Sequence, residues 1–290
     1  MTELSVIVLT YNHEEFILKC LRGIVNQIFP YDINVIISDD FSSDNTNKIV
    51  EKFIIDNKKQ NFKYTHLTSK KNNGPRKNFN KVTSIIKSKY VAICDGDDHW
   101  TNSEKLLKQH NQLTSNDDIV ICCHNYDMIF EEQIINKIRN PSLIFNKSMM
   151  FGRMKLNVQP STVFFKYFSD VFSNSSLNST GFNYDLNRIL SKGKGIYLSS
   201  SYCNYRINQD GQYYSKSPNE RLDISLKNII QIYLDKDFVD NKLRRMIRGN
   251  AFRLILKTQF FSLIKFQFIE FKKSFIVIRS NNLLTIFKNN

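Results

Sequence analysis

Glycine and proline are scarce, 9 and 5 residues in a chain of 290. That scarcity excludes collagen-like and low-complexity architectures. The five cysteines, Cys20, Cys94, Cys122, Cys123 and Cys203, are odd in number and form no CxxC pair. A disulfide scaffold and a thiolate zinc site are therefore not expected, and the compartment reads as reducing. No run approaches the roughly 20 apolar residues of a membrane span. Met1–Thr10 carries no basic start and no cleavage site, which predicts a cytoplasmic protein. No GxGxxG follows the first apolar run, which excludes a dinucleotide oxidoreductase. The histidines His13, His66, His99, His110 and His124 show no HExxH or other ligand spacing, and no Ser-His-Asp or Cys-His set stands out.

What is present is enough for a sizeable core: 41% hydrophobic and 13% aromatic residues. Net charge is +14, and it is unevenly spread. Residues 241–290 hold eleven lysines and arginines against one acid, Glu270, so they carry +10 of it. The partner implied by charge belongs mostly to that tail.

The layout alternates. Leu4–Leu9 and Asn34–Ser38 are β-branched runs, as expected of strands buried on both faces. Phe62–Leu67 and Tyr90–Cys94 read as two more. Helical stripes lie between them: one from near His13 through Phe16, Ile17, Cys20, Leu21, Ile24 and Val25, one over Ile49–Ile54, and one after Asn73-Gly74-Pro75. This predicts an α/β fold with a mostly parallel sheet and helices on both faces. Strands are also expected at Ile119–Cys123, Thr162–Phe165 and Gly195–Tyr205, and a helix at Tyr184–Leu190.

Ligands of such sheets bind at the carboxyl ends of the strands. Three polar clusters fall there: Thr10-Tyr11-Asn12, Asp39-Asp40, and Asp95-Gly96-Asp97-Asp98. Three carboxylates within four residues repel one another and favour a bound cation. Oxygen ligands suit Mg²⁺ or Mn²⁺, which are commonly shared with substrate phosphates. A carboxylate after the second strand suits a ribose hydroxyl or a base edge. Capping of the following helices is the plain alternative for each cluster.

The order VIVLTYN, IISDDFSSDNT, KNNGPRKNFN, YVAICDGDDHW resembles the family 2 glycosyltransferases of the GT-A fold. The likeness is strong over about 4–110 and continues through QPSTVFFK, NYDLNRIL and YRINQDGQ. The DGDDHW form looks most like a subgroup that builds bacterial surface polysaccharides such as O-antigen or capsule. The resemblance implies an inverting, metal-dependent transfer of a hexose from a UDP-sugar, UDP-glucose or a relative. It implies a saccharide acceptor on a polyprenyl diphosphate. It places Tyr11, with Thr10 and Asn12, on the uracil, Asp39 or Asp40 on uracil or ribose, and Arg76 or Lys77 near the base or diphosphate. Asp95 and Asp97 would flank sugar and ribose, and Asp97 or Asp98 would ligate Mn²⁺ or Mg²⁺. Asp185 would be the catalytic base, with Asp170 the next candidate. Trp100 and Arg206 would line the acceptor and diphosphate sides, and His99 would lie close to phosphate.

The expected division is a catalytic domain over 1–215, with a nucleotide-sugar half to about 118 and an acceptor half from about 119. A helical, basic, aromatic segment follows over 216–290. Its phenylalanines interleaved with cations, from Phe252 to Phe287, suit an anionic bilayer surface. They suit packing onto the core equally well. Nucleic acid is not expected as a partner, because no binding motif accompanies the charge. A homodimer is compatible with the sequence. A nucleotidyltransferase would want a Gly- and Arg/Lys-rich loop after the first strand, which TYNHEE does not offer. A catalytically inactive scaffold would have no need of the four carboxylates at 40, 95, 97 and 98.

Overall fold

Strand β1 (Leu4–Thr10) is apolar but for Ser5 and Thr10 because it is covered on both faces. Its side chains alternate between two cores. Leu4, Val6 and Val8 pack with helices α1 (Ile17–Val25) and α2 (Thr46–Asp56), while Ile7 faces the opposite layer. In this computed structural model, residues 2–150, 156, 158–172 and 182–208 are described, with single positions scattered from 216 to 247.

Strands β2 (Ile33–Asp39), β3 (Phe62–Thr68) and β4 (Tyr90–Ile93) complete a parallel quartet in the order β3-β2-β1-β4. Helix α3 (Pro75–Thr83) covers the face of Ile7 and Ile36 with Phe79 and Val82. After β5 (His99–Trp100), helix α4 (Lys105–Thr114) returns to the first face with Leu106 and Leu113. Helix α1 starts later than its apolar stripe. His13–Phe16 makes a turn in which the His13 carbonyl accepts from both Phe16 and Ile17.

The second half is built differently. The long strands β6 (Ile119–Phe130) and β10 (Lys194–Arg206) pair in parallel, with register shifts along β10. A hairpin strand β7 (Gln133–Ile138) extends β6, and β8 (Leu143–Phe145) pairs antiparallel with β10. A short helix α5 (Lys147–Met150) follows. A 3₁₀ turn at Pro160–Thr162 leads into β9 (Phe164–Lys166). Strand β9 sits between β4 and β6 and runs antiparallel to both, so the sheet is parallel in its first half and mixed in its second. The expected strand at Thr162–Phe165 starts two residues late for this reason, since the 3₁₀ turn occupies Thr162. Helices α6 (Ser169–Phe172) and α7 (Phe182–Ile189) join α3 on its face.

The chain divides into two units, Met1–Ser215 and Lys216–Asn290. In the second, Ser217 and Glu220 form a capping box: the carboxylate accepts from the Ser217 N–H at 2.8 Å, and the Ser217 hydroxyl accepts from the Glu220 N–H at 3.3 Å. Among the described residues no helix is long and apolar enough to cross a membrane. The membrane-surface expectation for 241–290 lies outside the described residues, Arg245 and Ile247 aside.

Candidate active site

Parallel pairing brings the three polar clusters together. Thr10 is in register with Asp39, and the Asp40 N–H donates to the Thr10 carbonyl at 3.0 Å. On the other side, the Gly96 N–H donates to the Leu9 carbonyl at 2.8 Å. The loops after β1, β2 and β4 therefore share one edge. Tyr11 is partly buried there and Asn12 is exposed. Asn12 adopts a left-handed φ of 54°. Its side-chain oxygen accepts from the Ser43 N–H at 2.9 Å, and its own N–H donates to Ser42 Oγ at 2.8 Å.

Asp39 and Asp40 are both buried, and both hold loops. Asp39 accepts from the Ser42 N–H at 2.8 Å and the Asn47 amide at 2.9 Å. Asp40 accepts from the Gly74 N–H at 2.7 Å and the Asn73 N–H at 3.0 Å. Gly74 enters α3 at φ 85°, a conformation open to glycine, and Pro75 follows at the first helical position. Asp40 thus sets where α3 starts, and hence where Arg76 points. Arg76 is buried and grips Asp185 with two nitrogens at 2.5 and 3.0 Å, while Lys77 is exposed. The expectation had left Arg76 and Lys77 open; the structure sends them to opposite environments.

Asp185 lies on α7 and is 1% exposed. Burial pushes its carboxyl up, and Arg76 opposes that shift by hydrogen bonding and charge. The alternative, Asp170, is an exposed ion-pair partner of Lys192, which holds its carboxyl low.

The carboxylates of the 95–98 loop separate by environment. Asp95 is pushed up to about 7 by burial and by the charge of Asp97. Asp98 is buried and stands well above the usual carboxylate range, first through burial and then through Asp97 and Asp95. Its two oxygens accept from Ser161 Oγ at 2.5 Å and from the Arg206 N–H at 2.8 Å. This geometry makes Asp98 an anchor for the Pro160–Thr162 turn and the end of β10. Asp97 is partly exposed, with its Oδ2 3.8 Å from His13 Nε2. A metal-facing role fits Asp97 better than Asp98.

Two buried polar atoms beside this loop lack a partner, Thr10 Oγ1 and His13 Nδ1. A Cβ placed on Gly96 would stand 3.0 and 2.8 Å from them, so the loop needs glycine at that point. Among the described residues no three His, Cys, Asp or Glu side chains make a complete metal cage. The set fits a hard cation held by one or two carboxylates and completed by substrate phosphates.

Trp100 is 4% exposed: its indole N–H donates to the Ser161 carbonyl at 2.9 Å, and Lys105 Nζ lies 4.0 Å from its ring centroid. His99 is likewise buried, paired with the Asn204 amide at 3.2 Å, and lowered to about 4 by burial, so it is neutral. Arg206 is buried at the end of β10, with its Nε donating to the Asp97 carbonyl at 3.0 Å. His13 and Ser161 are the site residues that the sequence reading passed over. His13 had a signal, its place three residues after Thr10 in a carboxyl-end loop. Ser161 had none, because its contact with Asp98 spans 63 residues.

The family model for glycosyl transferase family 2 matches residues 5–178, more than half of the chain. The chain belongs to that family. An uncharacterized Mycobacterium bovis protein is 33% identical over 129 residues, 44% of this chain and 36% of that one. This chain thus matches only about a third of the length of that relative. The GalNAc(5)-diNAcBac-PP-undecaprenol beta-1,3-glucosyltransferase of Campylobacter jejuni is 27% identical over 258 residues, covering 82% of this chain and 78% of that one. A crystal structure of Staphylococcus aureus TarS 1–349 with UDP-GlcNAc superposes with a TM-score of 0.70 at 17% identity, over 94% of this chain and 79% of that one. That likeness establishes the GT-A fold.

Proposed function

We propose that this family 2 glycosyltransferase moves a hexose, with inversion, from a UDP-sugar such as UDP-glucose to a saccharide on a polyprenyl diphosphate. The observation that carries the reading is the 95–98 loop, docked through the Gly96 N–H onto the end of β1 beside Thr10–Asn12, with Asp97 partly exposed. The Campylobacter relative, named for a lipid-linked acceptor, supports the acceptor class.

In this reading Tyr11 stacks on the base, with Thr10, Asn12 and the loops braced by Asp39 and Asp40 around the nucleoside. Asp97 would hold Mn²⁺ or Mg²⁺, with Asp98 fixing the loop behind it. Such a cation would supply positive charge against the leaving diphosphate. Asp95 borders the sugar, and Arg206 holds the 95–98 loop from the diphosphate side. Asp185 takes the proton of the acceptor hydroxyl as that oxygen bonds to the anomeric carbon and the bond to the diphosphate breaks. Arg76 aligns Asp185 and favours its ionised form, and each carboxylate oxygen keeps a lone pair for the hydroxyl. Work on such an acceptor places the chain at the inner face of the cell membrane, with 241–290 as the contact.

The test is a transfer assay over a UDP-sugar panel, with Mn²⁺, Mg²⁺ or EDTA and a short lipid-diphosphate saccharide. The expected result is metal-dependent UDP release with one donor and an inverted anomeric product. Transfer of a nucleotidyl group, or no turnover and no nucleotide binding, would contradict the reading.

A further inference from the structure

The β6–β7 hairpin turns through Glu131 and Glu132, at φ 46° and 62°. Turns with both central residues in the left-handed region favour Asn, Asp and Gly. Glutamate at both positions carries a local cost that forming the hairpin does not require. Strain of this kind persists where surrounding contacts impose it. The contacts are specific. Glu132 pairs with Arg206 Nη2 at 2.5 Å through one oxygen and with Lys19 through the other. Strand β7 beyond it is otherwise exposed, Gln133 through Lys137.

Arg206 is where these contacts lead. Its guanidinium carbon lies 4.4 Å from the centroid of the Phe16 ring. Its Nε donates to the Asp97 carbonyl and its backbone N–H to the Asp98 carboxylate. One residue therefore holds two members of the 95–98 loop, and Glu132 fixes the free end of its side chain. Charge-assisted bonds of this type are directional and strong.

We infer that Glu132 is a positioning residue of the active site, holding Arg206 across the Asp97 carbonyl so that the Asp97 carboxylate is set for the cation. The inference rests on the transferase reading of that site. It ties the hairpin of the second half to the metal-facing loop of the first.

Calorimetric binding of UDP and of GDP to the full chain, each with and without Mn²⁺, tests it alongside thermal melting. In Glu131→Gly, relief of the left-handed backbone should raise Tm by a few degrees and leave nucleotide affinity within about twofold. In Glu132→Gly the backbone is relieved in the same way, which offsets part of the cost of leaving Arg206 without its carboxylate partner, so Tm should stay within a few degrees of the wild type. Its Mn²⁺-dependent affinity should nevertheless drop about tenfold, the loss expected of a hydrogen bond to a charged group. Glu132→Gln keeps one donor–acceptor contact and should fall between. If the wild type binds and Glu132→Gly binds equally well, the inference is overturned. Equal losses in Glu131→Gly and Glu132→Gly would also overturn it, by making the effect one of the turn. A wild type that binds neither nucleotide overturns the transferase reading and this inference with it.

Discussion

The two halves of the sheet solve the same problem in different ways. In the first, four short parallel strands end at one edge, and the loops there are fixed by one another: Asn12 on Ser43, Asp39 on Ser42, Asp40 on Gly74. The side chains that lock these loops are close in sequence to the strands that present them. In the second, residues reach the site from far away in the chain, from the turn before β9, the end of β10 and helix α7: Ser161 to Asp98, Arg206 to Asp97, Asp185 to Arg76. The first half builds this edge from local rules. The second supplies the groups that finish it, through contacts that form only once the sheet is complete.

The largest effect should come from cutting the link between α3 and α7. Arg76→Met leaves the Asp185 carboxylate buried without its partner, at a cost of about 3–5 kcal/mol. Denaturant melts should show that loss, and Arg76→Met with Asp185→Leu should recover most of it. Next, Gly96→Ala forces a methyl to within 2.8 Å of His13 Nδ1 and 3.0 Å of Thr10 Oγ1. The loop must shift off β1, so Mn²⁺-dependent nucleotide affinity should fall at least about tenfold, with a modest change in Tm.

A pH effect separates core from site. Lys105 is fully buried against Trp100 and Gln109, and burial lowers it from 10.5 to about 8. Between those values the unfolded chain holds the extra proton, so this residue makes stability rise with pH over that window. Lys105→Met should remove that component, seen as the difference between the two stability–pH curves. The smallest effect is expected for Trp100→Phe. It loses one hydrogen bond to the Ser161 carbonyl, about 1 kcal/mol, and leaves kcat/KM within about twofold. A large rise in acceptor KM would instead put Trp100 on the acceptor face.

These contrasts also explain what could be read in the sequence. Three of the four parallel strands, β1, β2 and β4, were legible as short, mainly apolar runs, β3 (FKYTHLT) by its aromatic and threonine content, and the three acidic or polar clusters followed from strand ends. Strand β9 was not legible as antiparallel, because three residues, Phe164–Lys166, carry no directional pattern. The burial of Trp100 was not legible, because Ser161 and Lys105, which cover it, carry no local sign of that contact. The Arg76–Asp185 pair spans 109 residues and leaves no local trace. His13 showed no ligand spacing because its partner, Asp97, belongs to another loop.

The central claim is that the first half binds a metal-bound nucleotide and the second half supplies the base. Nucleotide affinity and turnover, measured side by side in Asp97→Asn and Asp185→Asn, test it most directly. The account predicts that Asp97→Asn loses both Mn²⁺-dependent binding and transfer. It predicts that Asp185→Asn keeps binding within a few-fold while transfer falls about 10²–10⁴-fold. Undiminished transfer in Asp185→Asn, or undiminished Mn²⁺-dependent binding in Asp97→Asn, would contradict it.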